Sequence, residues 1–190
     1  MKRAVNRAGV LTRLRADARG VAFLEFALIA PVLILFYFGT VEFCLALLAQ
    51  RRAGHVAAAV GDLTAQSATL TQANMQDVFR ISRTIMAPYA TTSLRIRISH
   101  VSRNNAGVLT VDWGCVSGGW AKRSANDTAG LPVSILQNNQ SMVFSETSYA
   151  YDSPLDMFFP SLTNFTATVP YRPRLSQTIP APTGGTCQLS

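Results

Sequence analysis

The chain has 190 residues, enough for one modest domain with extensions. Apolar residues make up 48% and charged residues 14%, against roughly 25% charged in an average soluble domain, so part of the chain is expected to lie in lipid. The net charge of +7 does not point to nucleic acid, because the densest basic cluster abuts an apolar run instead of forming a patch on a folded surface.

That cluster is Lys2, Arg3, Arg7, Arg13, Arg15 and Arg19, which against Asp17 gives +5 over residues 1–20. From Val21 to Ala49 the sequence reads VAFLEFALIAPVLILFYFGTVEFCLALLA, and Arg51 and Arg52 close it. A spanning helix needs about 20 apolar residues at a rise of 1.5 Å each. This run can therefore cross a bilayer and project beyond it. The stronger basic cluster precedes it, so the positive-inside rule puts the N-terminus in the cytoplasm and the rest outside it. The run is too long for a cleaved secretory signal, whose apolar core spans about 7–15 residues. A lipidated Cys44 is disfavoured by the bulky, acidic Val41-Glu42-Phe43 before it. Cys44 reads instead as a helix packing residue.

Glu25 lies within the apolar run, five positions after Gly20. An ionisable group there costs energy and is a functional candidate by default. Two readings stand. In one, Glu25 snorkels to the cytoplasmic interface and pairs with Arg19. In the other, proteolysis after Gly20 gives Val21 a free α-ammonium, and Glu25 neutralises that ammonium on a neighbouring subunit. A paired charge in low dielectric is far cheaper than a lone one. Glu42 falls on another face of the helix and reads as an interfacial carboxylate in contact with water or with Arg51 and Arg52.

Beyond the membrane run the helix is expected to continue to about Leu63, weakly broken by Gly54 and Gly61. A second helix is expected from the N-cap candidate Thr71 to Ala87, with Met75, Val78, Phe79, Ile85 and Met86 on one face and Pro88 as the stop. The period then changes to two. Leu94-Arg95-Ile96-Arg97-Ile98-Ser99, the turn Asn104-Asn105-Ala106-Gly107, and Leu109, Val111 and Trp113 read as a β-hairpin. Val133 and Ile135 suggest another strand, residues 142–151 a further one, and Phe165, Ala167, Val169 and Tyr171 a last one. The fold class is α+β, a small antiparallel sheet against the helix.

Cys115 and Cys187 both fall in the oxidising compartment, where a disulfide would tie the Gly/Pro-rich tail to the hairpin. Two free thiols, or a bridge between chains, are the alternatives. The stretch 115–130, with Lys122, Arg123, Asn126 and Asp127, reads as a solvated surface loop. No nucleophile elbow, HExxH, phosphate loop or dinucleotide fingerprint is present. His55 sits among alanines and His100 at a strand end, neither with an evident orienting carboxylate. No catalytic residue, cofactor or metal site is assigned.

Residues 19–43, RGVAFLEFALIAPVLILFYFGTVEF, resemble the N-terminal region of TadE/TadG-like proteins of the tight-adherence (Flp) pilus system. The shared features are a basic start, a glycine, a Glu-Phe pair five and six places on, an Ala-Pro step and a later G-x-x-E-F. The alanine-rich stretch 51–68, Tyr149 to Leu155 and Arg172-Pro173-Arg174 resemble the family more loosely. The chain length is closer to the TadE-like type. The resemblance implies a minor pilin or pseudopilin of a bacterial inner membrane, with a pilin-like head. It implies cleavage between Gly20 and Val21 by a prepilin peptidase, and assembly roles for Glu25 and Phe26. The implied partners are other pilins or pseudopilins, Tad inner-membrane assembly proteins and membrane lipid. The alternative is an uncleaved single-pass anchor carrying a periplasmic binding domain in the same apparatus. The expected organisation is a cytoplasmic leader 1–20, a transmembrane helix 21–50, a helical extension 51–70 and a periplasmic α+β domain 71–190.

Overall fold

The computed structural model describes residues 19–155, 163–184 and 187–189. The expected leader, up to residue 18, lies outside the described residues. Helix α1, Arg19–Ala65, runs 47 residues, about 70 Å at 1.5 Å per residue. It passes through Pro31 without ending. Helix α2 is Gln72–Met86, and the hydroxyl of its N-cap Thr71 accepts from the Asn74 N–H at 3.2 Å. The Asn74 side chain in turn accepts from the Thr71 N–H, completing a capping box. Met75, Phe79 and Met86 are buried, with Val78 and Ile85 packed beside them, so the expected apolar face is the one used.

Five strands follow: β1 Leu94–Arg103, β2 Leu109–Ser117, β3 Gln140–Tyr151, β4 Thr163–Tyr171 and the two-residue β5 Gln188–Leu189. Their order is β4-β3-β1-β2-β5. The first four pair antiparallel, and β5 pairs parallel with β2. The architecture is α+β: a long apolar helix, a second helix and a small antiparallel sheet. Val133 and Ile135 do not form a strand. Val133–Ile135 is a single 3₁₀ turn after Pro132. Its spacing of three turns Val133 and Leu136 toward the sheet and leaves Ile135 exposed, so the period of two suggested by Val133 and Ile135 does not apply.

The register sorts the sheet's faces. Ile96, Ile98, His100, Trp113, Cys115, Val143, Ser145, Thr147, Tyr149 and Tyr151 share the front face with the inward residues of β4. The helices cover that face. The back face carries Val101, Val111, Met142 and Phe144, and the β2–β3 connection covers it with Leu131 and Leu136.

The distal half of α1 lies on β3 and β4, and β3 runs back along it. Thr147 Oγ1 donates to the Ala53 carbonyl at 3.0 Å, and the Arg174 N–H donates to the Ala65 carbonyl at 2.9 Å. Gly54 and Gly61 do not break the helix. At Gly61 an added Cβ would sit 2.6 Å from the Tyr171 ring and 2.9 Å from Ser145 Cβ, so glycine sets how closely helix and sheet approach. Helix propensity alone would favour Gly61→Ala by about 1 kcal/mol. Overpacking costs about 1–3 kcal/mol. Ser145 Cβ is fixed to β3, an interior strand of the sheet, and cannot swing away, so packing should win. Gly61→Ala is expected to lower the thermal midpoint of the full chain in detergent, while Gly54→Ala, with open space around it, should raise it slightly.

Candidate functional site

Alanine, leucine and phenylalanine give residues 21–38 of α1 their helix, and no described part of the chain packs on them. Phe23, Leu24, Phe26, Leu28, Val32, Leu33, Ile34 and Phe36 are all more than half exposed. This is the single described helix long and apolar enough to cross a membrane, and it lies near the N-terminus. Gly20 and Val21 occupy its first turn with open space around the glycine. Glu25 is exposed one turn further on, on the Val21 side of the helix, and has no ion pair among the described residues. Phe26 follows it, 67% exposed. The Arg19 side chain lies outside the described residues, so the snorkelling pair with Glu25 does too. The four N-terminal candidates therefore sit within two turns at one end of a bare apolar rod.

Glu42 behaves otherwise than expected. It is fully buried, and the Ser153 hydroxyl donates to its carboxylate at 2.5 Å. The reading as a solvated interfacial acid is corrected, because the end of β3 folds over it. Burial raises the Tyr151 phenol, so Tyr151 stays neutral beside Glu42. Just beyond, Tyr89 donates to the Leu45 carbonyl at 3.0 Å and Arg52 to the Ile85 carbonyl at 2.9 Å. Glu42 thus marks where the bare rod enters the head.

Two polar networks hold the head together. On the back face, Glu146 accepts two hydrogen bonds from Arg97, at 2.8 and 2.9 Å, and two from Arg123, at 2.9 and 2.8 Å. Trp120 stacks on the Arg97 guanidinium, 4.4 Å from ring centroid to Cζ. The Arg123 side chain is only 5% exposed, so this part of the 115–130 loop is a structural clamp and not a solvated surface.

On the front face His100 lies inside β1, not at its end, and is buried. The Ile179 N–H donates to its Nε2 at 3.3 Å, so the ring proton sits on Nδ1 and is donated to Asp112 at 2.8 Å. The ring stacks on Trp113, whose Nε1–H donates to the Ile179 carbonyl at 2.7 Å. Ser141 Oγ is 3.1 Å from Nε2, so serine, histidine and aspartate are spaced as in a nucleophilic triad. The arrangement cannot act as one. The serine proton goes to the Gln177 carbonyl at 2.6 Å, and the Nε2 lone pair is already taken by Ile179. The group clamps the C-terminal tail.

Burial lowers the His100 pKa, with Asp112 partly opposing it. A histidine whose folded pKa lies below its unfolded value stabilises fully above about pH 6.5 and loses that contribution as pH falls through the folded pKa. Unfolding midpoints of the full chain should therefore fall from pH 7 to pH 5. In His100→Gln the profile over that window should be flatter, about a lower plateau.

The tail is also held covalently. Cys115 and Cys187 form a disulfide, with Cα atoms 4.9 Å apart. Among the described residues no group of three or more His, Cys, Asp or Glu could hold a metal ion.

The bare rod, the acid one turn into it and the distal helix on which the head packs lie within one continuous stretch of chain. Residues 20–62 match the family model of the TadE-like proteins. The TadE-like segment starts at Gly20, takes in Glu25, Phe26 and Glu42, and ends one residue past Gly61. The sheet lies outside it. No curated protein and no solved structure matches the chain.

Proposed function

We propose that the chain is a minor pilin or pseudopilin-like component for assembly of a tight-adherence (Flp, type IVb) pilus, matured by a prepilin peptidase that cuts after Gly20. The observation that carries this reading is the division of α1 at Glu42: an apolar rod with no packing partner among the described residues on one side, a packed head on the other. The rod lies in the inner membrane with its N-terminus cytoplasmic and the head periplasmic, and it leaves the bilayer by packing among like helices. Glu25 then faces the new Val21 ammonium of an adjacent subunit, compensating charge and setting axial register. The TadE-like match over the rod supports the pilus system as the setting. The partners are the peptidase, other pilins or pseudopilins, and inner-membrane assembly proteins.

Glu25→Gln tests the role of the charge without changing shape. The variant should still fractionate with membranes at the wild-type level, while surface pili on producing cells fall at least tenfold. Unchanged piliation would contradict the register role and favour an uncleaved anchor that presents the head to a periplasmic partner.

A further inference from the structure

We propose that residues 175–182 form an acid-operated strap: protonation of His100 at Nε2 lifts Ile179 off the sheet while both ends of the strap stay tethered. The strap crosses the front face between two fixed ends. At one, the Arg174 N–H donates to the Ala65 carbonyl at 2.9 Å. At the other, the Thr183 N–H donates to the Leu70 carbonyl at 3.0 Å, the Thr183 carbonyl accepts from the Gln72 N–H at 2.9 Å, and Cys187 is bonded to Cys115. Backbone amides and a disulfide do not titrate near neutral pH, so neither end responds to acid. The middle has no ladder, and Pro180 and Pro182 have no N–H to give one. Three hydrogen bonds hold it, one to each of three strands. Ser141 Oγ on β3 donates to the Gln177 carbonyl at 2.6 Å, Trp113 Nε1 on β2 donates to the Ile179 carbonyl at 2.7 Å, and the Ile179 N–H donates to His100 Nε2 on β1 at 3.3 Å.

The last bond depends on a lone pair. A protonated Nε2 becomes a donor. Ser141 Oγ, 3.1 Å away, can accept from it without giving up its own bond to Gln177. The Ile179 N–H has no such recourse, and two N–H groups then face each other at 3.3 Å. Moving Ile179 away breaks the Trp113 bond as well, because both bonds belong to one residue. The sheet itself accommodates the charge. Asp112 lies 2.8 Å from Nδ1, and the Trp113 ring stacks on the imidazole at 5.5 Å between centroids. The loss therefore falls on the strap.

The surroundings agree. Asp112 is the carboxylate that faces the ring. Arg172, at the end of β4, lines a pocket with Ser141 and Gln177, and its charge opposes an imidazolium there. The α1 and α2 residues buried under this face, Val56, Val60, Met75 and Phe79, carry no charge. With the strap closed, burial holds the His100 pKa below its ordinary value, whereas an open strap lets water reach the ring. The open form thus binds the proton more tightly, and opening grows as pH falls below about 6.5. It empties the buried seat of Ile179 and bares Trp113, leaving residues 175–182 as a loop tied at both ends.

Hydrogen exchange of the full chain in detergent, read by mass spectrometry on peptides spanning residues 175–182 and corrected for the intrinsic rate at each pH, follows the Ile179 amide. Its protection should fall about tenfold between pH 7 and pH 5, as an open form with an ordinary imidazole requires. Strands β1 and β3 should stay far better protected at both values, because the opening is local. In His100→Gln, whose amide takes no proton in this range, Ile179 protection should not change with pH. Asp112→Asn removes the carboxylate that favours the imidazolium and should move the fall at least one pH unit lower, roughly the effect of one close opposite charge; it keeps the test decisive if His100→Gln does not fold. Constant Ile179 protection in wild type overturns the switch. A fall that persists in His100→Gln, or that stays in place in Asp112→Asn, gives the trigger to another group and overturns it too. Exchange of Ile179 at the rate of β1 and β3 at pH 5 would show that the strap opens only with the whole head, and the local device would be wrong.

Discussion

Glu146→Ala is expected to destabilise the full chain by about 3–5 kcal/mol, the usual cost of removing one partner from a buried ionic group. Glu146 takes four hydrogen bonds from Arg97 and Arg123, whose side chains are 13% and 5% exposed. Without the carboxylate, two guanidinium groups face each other in a poorly hydrated site. The β2–β3 connection would also lose its grip on the back face. In detergent, the thermal midpoint should fall by roughly 10 °C, since about 2–4 °C per kcal/mol is typical at this size. Replacing all three residues by methionine should cost much less, because it removes the desolvation penalty together with the attraction. A triple variant as unstable as Glu146→Ala would show that shape, not charge, is what the site supplies.

The same carboxylate sets an acid limit. Burial raises its pKa, but the hydrogen bonds and charges of Arg123 and Arg97 outweigh that and hold it below the usual range. A depressed carboxylate stabilises fully above its unfolded pKa and loses that contribution as pH falls through the folded value. Its window lies below about pH 4, under that of His100, so the two losses should be separable in one titration.

Loss of the disulfide is the second large effect. Cys115 and Cys187 are 72 residues apart, and the chain-entropy treatment of such a loop gives about 4 kcal/mol. Cys187→Ser should unfold at the midpoint of reduced wild type, and adding reductant should not change it further. The damage is expected to begin locally. Val116 N–H donates to the Cys187 carbonyl, and β5 hangs on that anchor, whereas Ile179 remains held by His100 and Trp113. A reductant-insensitive wild type would contradict this.

Much of the fold was legible because its signals are local. The apolar run, the Thr71 cap and the alternation in Leu94 to Ser99 and in Phe165 to Tyr171 each depend on near neighbours along the chain. What escaped depends on partners far away. Gly61 reads as a weak break until Tyr171 and Ser145 arrive against it, and Glu42 reads as solvated until Ser153 closes over it. Val133 and Ile135 alternate like a strand, yet Pro132 and the pull of Val133 and Leu136 toward the back face make a turn. The Glu146 clamp left a faint trace: a lone acid in the largely uncharged strand 140–151 and an arginine between two isoleucines at 97. Linking them to Arg123 needs the loop to fold back. The N-terminal candidates Gly20, Val21, Glu25 and Phe26 were legible as a motif, since all of them fall within two helical turns.

The most direct measurement of the central claim is the intact mass of the protein recovered from membranes of cells with an active prepilin peptidase. The account predicts a chain beginning at Val21, lighter by residues 1–20, whose new amine is the partner that Glu25 needs. A full-length chain in assembled, functional pili would contradict it, since the carboxylate would then have no terminal ammonium to balance.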